Sequence, residues 1–325
     1  MRTSCRKLRP VCLLVILAGS AGAIDNSQNT VARKRPPAAN QDAGPSNFRS
    51  DSTVVLVNVT ITDGRGHLIT GLQRENFQIF EEKAEQTVRY FSTEESPVSV
   101  GLVLDFSHSM SRKFSQLREA VAQFLKAANP EDEFCLIEFR DRAELSVGFT
   151  PMPEDIEKRV MLAKAEGHTA LLDAVHLGLR QMKKSHNPRK ALLVVSDGGD
   201  NHSRFSAREV ENLARESDVE TYTIGIVGRG EPILGEPELF RGADLLAEIS
   251  EQGGGHYYAI DNLRDLPGVA EKIGRELRQQ YVLGYTSTNQ GHDGKYRRVQ
   301  VKVRRSPGQP KLWAYWKRGY YAPMD

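Results

Sequence analysis

From Thr53 the chain adopts a period of two. Val55, Val57 and Val59 alternate with Leu56, Asn58 and Thr60, the pattern of a strand with one face covered. Asp63-Gly64-Arg65-Gly66 signals a turn, and Phe77–Glu81 and Thr87–Phe91 predict two further short strands. Three strands are too few for a stable sandwich of their own. At the other end Tyr281–Tyr285, Arg297–Arg304 and Leu312–Lys317 repeat the alternation, with turns at Gly291–Gly294 and Pro307-Gly308. Each set needs a partner sheet to cover its apolar face. The economical arrangement joins residues 52–96 and 281–325 into one small β-sandwich. Two separate satellites remain the alternative.

Between them, residues 97–280 alternate strand and helix. Val98–Leu104 and Lys190–Ser196 are apolar without a polar face, as expected of strands covered on both sides. Phe114, Leu117, Val121, Phe124 and Leu125 fall on one face of a helix after Ser111. Short strands are expected over Asp132–Arg140 and Glu144–Phe149, and a helix over Ala170–Lys184. A third helix spans Ser206–Ser217, with Ser206 and Glu209 forming a capping box. A strand at Val219–Val227, a helix at Ala243–Glu251, a strand at Gly255–Ile260 and a helix at Asn262–Gln279 complete the series. The fold class is therefore α/β, a doubly wound and mostly parallel sheet inserted in the small β-sandwich.

Composition changes this picture mainly at the start of the 325-residue chain. Arg2, Arg6, Lys7 and Arg9 precede the apolar run Val11–Ala18, and small residues end at Ala21-Gly22-Ala23. This is the pattern of a secretory signal peptide over residues 1–23. A bilayer span needs roughly 18–20 apolar residues, about twice that run. The polar, proline-bearing residues 24–51 predict a disordered linker. Removing the leader's four basic residues takes the formal charge from +2 to about −2. The basic balance of the whole chain thus carries no argument for nucleic acid. Cys5 and Cys12 leave as well, so Cys135 is the single cysteine of the mature chain and no intrachain disulfide is expected. The expected location is periplasmic, secreted or cell-surface, with no membrane span in the mature chain.

Candidate chemistry sits where two apolar strands end in aspartate. One reads Asp105-Phe106-Ser107-His108-Ser109 and the other Ser196-Asp197-Gly198-Gly199-Asp200-Asn201. A third loop, Glu166-Gly167-His168-Thr169-Ala170, opens a helix from the same rim. Open α/β sheets bind ligands beyond the carboxyl ends of strands, where strand order reverses. If the two strands are neighbours there, two carboxylates and three hydroxyls converge. All-oxygen donors suit a hard cation such as Mg²⁺, or Mn²⁺ or Ca²⁺. Two formal negative charges leave a dication short of electrons, so an incoming Asp or Glu carboxylate from a protein partner can complete its coordination.

Asp105, Ser107, Ser109, Thr169 and Asp197, in this order and at strand ends, resemble the metal-ion-dependent adhesion site (MIDAS) of von Willebrand factor type A domains. The resemblance implies that Ser107, Ser109 and often Thr169 hold the metal directly, while Asp105 and Asp197 act largely through water. It implies an adhesion-type binding protein rather than an enzyme. The flanks Val59–Phe91 and Tyr281–Tyr321 are similar to those of VWFA-related proteins described from acidobacteria.

Three residues form a possible ligand rim: His108, His168 and Asp200. The histidines are either exposed bystanders or ligand contacts. Asp200 and Asn201 are either a turn device or supports for the metal loop. Trp313, Tyr315 and Trp316 read as sandwich packing or as a carbohydrate platform. A hydrolase reading is weaker, because an aspartyl-phosphate mechanism wants a second carboxylate at the position of Ser107. A third reading is a structural role in envelope assembly, with the metal only stabilising.

Overall fold

The computed structural model describes residues 54–93, 95–226, 237–305 and 311–324. The predicted leader (1–23), the linker (24–51) and the Pro307-Gly308 turn lie outside the described residues. The elements, in chain order, begin with β1 (Val54–Asp63), β2 (Phe77–Glu81), β3 (Ala84–Gln86) and β4 (Tyr90–Ser92). Next come β5 (Val98–Asp105), α1 (Phe114–Lys126), β6 (Glu133–Phe139), β7 (Ala143–Thr150), α2 (Pro153–Leu162) and α3 (Leu171–Gln181). After these follow β8 (Arg189–Ser196), α4 (Ala207–Glu216), β9 (Glu220–Ile226), α5 (Pro237–Gly253), β10 (Tyr257–Ile260) and α6 (Leu266–Arg278). The chain closes with β11 (Tyr281–Thr286), β12 (Tyr296–Val303), β13 (Leu312–Trp316) and β14 (Gly319–Tyr321).

The two ends of the chain do share one sandwich. One sheet has the order β13-β1-β11-β4 and the other β14-β12-β2-β3, so each draws strands from both ends. Val57, Val59 and Ile61 of β1 pack with Leu283 of β11 against Phe77 and Ile79 of β2 and Val299 and Val301 of β12. Phe77 and Tyr281 meet in this core with ring centroids 4.9 Å apart and planes tilted by 50°. The central layer leaves after β4 and returns into β11. Those two strands pair antiparallel (Leu283 opposite Phe91), so exit and entry lie side by side.

The inserted layer is a six-stranded sheet of order β10-β9-β8-β5-β6-β7, parallel except for β7 at one edge. Alternate residues of β5 serve two cores. Val98, Val100, Leu102 and Leu104 face α1 and α6, while Val103 faces the α3–α5 side. That double duty explains a strand with no polar face. Replacing a buried leucine such as Leu102 with alanine costs about 2–5 kcal/mol. Cys135 lies in the second core, fully buried. Burial pushes its thiol up to about 12, so it is an inert packing group.

Two expectations are corrected. The single strand over Thr87–Phe91 is broken at 87–89, because the chain there passes from β3 in one sheet to β4 in the other. Strands β3 and β14 and helix α2 went unpredicted. α2 buries only Ile156 and Val160, too few apolar positions to show a period, although Pro153 stands at its first turn.

Sandwich and sheet meet at the amino ends of the parallel strands. Asn58 of β1 donates to Glu220 of β9 at 2.8 Å, and Gln280 donates to the other oxygen of Glu220 at 2.6 Å. His256 lies between the rings of Tyr258 and Tyr315, at 4.4 and 4.3 Å. Tyr258 donates to Glu276 at 2.6 Å. Trp316 donates its indole N–H to Val299 between the sheets, whereas Trp313 is exposed beneath the Lys311 ammonium. Among the described residues no helix is long and apolar enough to cross a membrane.

Candidate metal centre

β5 and β8 are hydrogen-bonded neighbours, with Leu104 opposite Val195, and strand order reverses between them. Their carboxyl ends therefore release Asp105 and Asp197 side by side at the switch point. Asp105 is fully buried and held from two sides. Its Oδ1 accepts the Ser107 N–H at 2.9 Å and its Oδ2 accepts the Ser196 hydroxyl at 2.6 Å. Ser196 Oγ in turn accepts the Gly198 N–H at 3.1 Å. Burial and the nearby Asp197 charge push the Asp105 carboxyl up to about 6, against the opposing pull of its serine hydrogen bonds.

The turn after Asp197 has a strict requirement. Gly198 sits at φ +91°, and a Cβ on the facing Gly242 would fall 1.8 Å from the Gly198 carbonyl oxygen. Glycine at both positions lets the two backbones touch and fixes the direction in which Asp197 leaves β8.

Backbone hydrogen bonds knit the three loops. Glu166 N–H donates to Phe106 O at 2.8 Å and His108 N–H to Gly167 O at 3.0 Å, joining the Thr169 loop to the serine loop. Thr169 is tied to the third loop. Its N–H donates to Asn201 Oδ1 at 3.1 Å, and the Asn201 N–H donates to Thr169 O at 3.0 Å. Ser107 and Ser109 turn their hydroxyls toward each other, 3.0 Å apart. Ser107, Thr169 and Asp197 are buried, while Ser109 lies on the exposed rim. All five residues singled out from the sequence thus stand on three mutually tied loops.

The rim residues have separate circumstances. His108 is exposed. His168 is two-thirds exposed and bonded through Nδ1 to Asp141 at 2.7 Å, with its ring stacked on His202 at 5.2 Å. The His168 backbone N–H on Asp141, together with the imidazole, holds that carboxyl below its usual range. Asp200 is half-buried near the start of α3, facing the backbone N–H of Leu171 and the Ser203 hydroxyl. Burial raises its pKa. Among the described residues its Oδ1 has no hydrogen-bond partner.

Sequence reasoning missed two participants. Ser196 was visible in Ser-Asp-Gly but had no role assigned. Lys113, just before α1, donates from Nζ to Asp197 Oδ2 at 2.7 Å and keeps only 19% of its side chain exposed. No period or motif singles out this lysine.

The residues fit a hard divalent cation. The donors are all oxygen, two are carboxylates, and an ammonium already sits against one of them, so the pocket attracts positive charge. Among the described residues no group of three or more His, Cys, Asp or Glu side chains is placed to hold a metal ion. A cation here would depend on the serine and threonine hydroxyls.

Comparison with known proteins bears on the fold that carries these loops. Residues 100–199 match the family profile of the von Willebrand factor type A domain. The chain is 30% identical over 161 residues to inter-alpha-trypsin inhibitor heavy chain 4 of Mus musculus, covering 44% of this chain and 17% of that protein. It is 26% identical over 174 residues to an uncharacterised protein of Borreliella burgdorferi, covering 49% and 48% respectively. It therefore spans about a sixth and about half the lengths of these curated relatives. Among solved structures, von Willebrand factor type A from Catenulispora acidiphila superposes with a TM-score of 0.50 at 13% identity, over 85% of this chain and 75% of that one. At that identity the likeness concerns the fold alone.

Proposed function

We propose that this chain, whose residues 100–199 form a von Willebrand factor type A domain, is an exported binding protein that captures a protein partner through a divalent cation. What supports the reading is that Asp105, Ser107, Ser109, Thr169 and Asp197 stand on three loops tied to one another at the switch point, with the Ser107 and Ser109 hydroxyls 3.0 Å apart. Ser107, Ser109 and Thr169 supply neutral oxygens, and Asp105 and Asp197 supply the charge. Bound there, Mg²⁺ (or Mn²⁺ or Ca²⁺) supplies a Lewis-acidic position that a partner's Asp or Glu carboxylate fills.

The chain's own residues do the positioning. Ser196 and the Ser107 N–H hold Asp105 against rotation, and Asn201 holds the Thr169 backbone. Such supports normally contribute one to two orders of magnitude to metal affinity. The site is read as a binding site rather than an aspartyl-phosphate one because Asp105 is already held by two hydrogen bonds and Ser107, not a second carboxylate, stands two residues on. Export rests on the basic, apolar and small-residue succession of residues 1–23.

The test is retention of envelope proteins on the immobilised mature chain in Mg²⁺, in EDTA, and with Asp105→Ala. Retention only with Mg²⁺ and native Asp105 is expected. Equal retention in all three overturns the proposal.

One observation favours a second reading, an envelope assembly protein that docks through its sandwich. Leu56 and Tyr90 flank Gly284 on the sheet containing β1, and with Val54 they are half or more exposed. On that reading EDTA lowers the melting temperature but leaves partner retention intact.

A further inference from the structure

Lys113 is delivered to the metal loops by the same turn that carries Ser109. Its N–H donates to Met110 O at 2.8 Å, and its own carbonyl accepts the Leu117 N–H at 3.0 Å, so its backbone is fixed between the serine turn and α1. From there the side chain runs inward to Asp197, with Nζ 2.7 Å from Oδ2. The flanking Ser111 and Arg112 are exposed. The Lys113 side chain itself keeps 19% of its surface exposed, so the ammonium has a route along its flexible stem to solvent.

The charges of the pocket decide what this contact does. Asp105 and Asp197 follow neighbouring strands and leave them side by side, so their two negative charges share one pocket. Lys113 is the positive side chain that the hydrogen bonds place in this pocket, and Asp197 is its partner. With the ammonium in place the pocket carries a net charge of about −1; without it, about −2. A dication drawing on Asp197 meets a positive charge already there, inside a buried pocket where Coulomb interactions are strong.

We infer that Lys113 is a tethered cation that competes with the divalent metal for Asp197 and thereby sets the metal affinity of the site. This rests on the metal-binding reading above. Loading with metal requires the ammonium to withdraw to the rim, and the native site is weaker for a dication than its oxygen ligands alone would make it. The opposite role, a lysine that steadies Asp197 in the loaded site, predicts the opposite sign.

The experiment is a calorimetric Mn²⁺ titration of the mature chain and of Lys113→Met, Lys113→Gln and Lys113→Arg. Lys113→Met and Lys113→Gln are expected to bind Mn²⁺ at least tenfold more tightly than the native chain, and Lys113→Arg, which keeps the charge, within about threefold of it. Thermal melts give a second readout. Saturating Mn²⁺ should raise the melting temperature of Lys113→Met by more than it raises that of the native chain. Unchanged or weaker Mn²⁺ binding by the neutral variants overturns the competition, as does equal tightening by Lys113→Arg. Absence of Mn²⁺ binding by the native chain and every variant overturns the metal reading itself, and the competition with it. Binding by the native chain with no tightening overturns the competition alone.

Discussion

The six-stranded sheet buries carboxylates at both of its ends, and the two sets keep different company. At the amino ends of its strands Glu276 is buried and Glu220 half-buried where the sheet meets the sandwich. Asn58, Gln280, Tyr222 and Tyr258 aim donors at them. Nearby, Asp132 accepts the Val98 and Asn129 N–H groups and pairs with Arg278 at 2.7 Å. At the carboxyl ends Asp105 and Asp197 are buried too, but their company is the Ser107 backbone N–H, serine hydroxyls and the Lys113 ammonium. Burial raises Glu220 and Glu276 just as it raises Asp105. A perturbed carboxyl therefore does not by itself mark a binding site. The nature of the partners does. Side-chain amide and phenol donors make a closed joint between two layers, whereas on the proposed reading the hydroxyls at the other end leave a cation something to bind.

This contrast can be broken by substitutions at either end. The largest effect is expected from Arg278→Ala, which strands the buried Asp132 charge. It should cost about 3–5 kcal/mol in urea unfolding while leaving Mn²⁺ affinity unchanged. A parallel loss of metal affinity would mean the two ends are not separable. Next, Asn201→Ala removes the side chain that holds the Thr169 N–H. It should weaken Mn²⁺ binding about 10- to 100-fold by calorimetry, with little change in unfolding free energy. An unchanged affinity would remove Thr169 from the set.

The smallest effect concerns pH at the closed joint. Burial and the Lys272 charge push His256 down to about 4, below its unfolded value near 6.5. The folded protein thus holds this imidazole neutral. The corresponding stability is complete above pH 6.5 and is lost as pH falls toward 4, because the unfolded chain takes up the proton first. His256 is partly solvated, so the loss is about 1 kcal/mol. His256→Phe should remove that slope from urea midpoints measured between pH 7 and 4. An unaltered slope would assign the pH dependence to other groups.

Much of this was legible in the sequence because it depends on local patterns. Strands that are apolar on both faces, such as Val98–Leu104, report a sheet covered on two sides. An aspartate ending each of two such strands, Asp105 and Asp197, reports where the loops emerge. What stayed hidden depends on partners far apart in the chain. Glu220 reads as an ordinary polar strand start until Asn58, 162 positions away, is placed against it. Lys113 reads as one more exposed charge before a helix until the switch point brings Asp197 to it, 84 positions on. Helix α2 stayed hidden for the opposite reason: it buries too little to leave a periodic trace.

The central claim is that the open end of the sheet binds a divalent cation through Asp105. Thermal melts at pH 7 of the native chain and Asp105→Asn, each in EDTA and in saturating Mn²⁺, test it most directly. Because the fold raises the Asp105 carboxyl to about 6, its charge opposes folding at pH 7, and the neutral isostere should melt no lower than the native chain in EDTA. Mn²⁺ should then raise the melting temperature of the native chain and leave Asp105→Asn unmoved. An equal rise in both, or none in either, would contradict the claim.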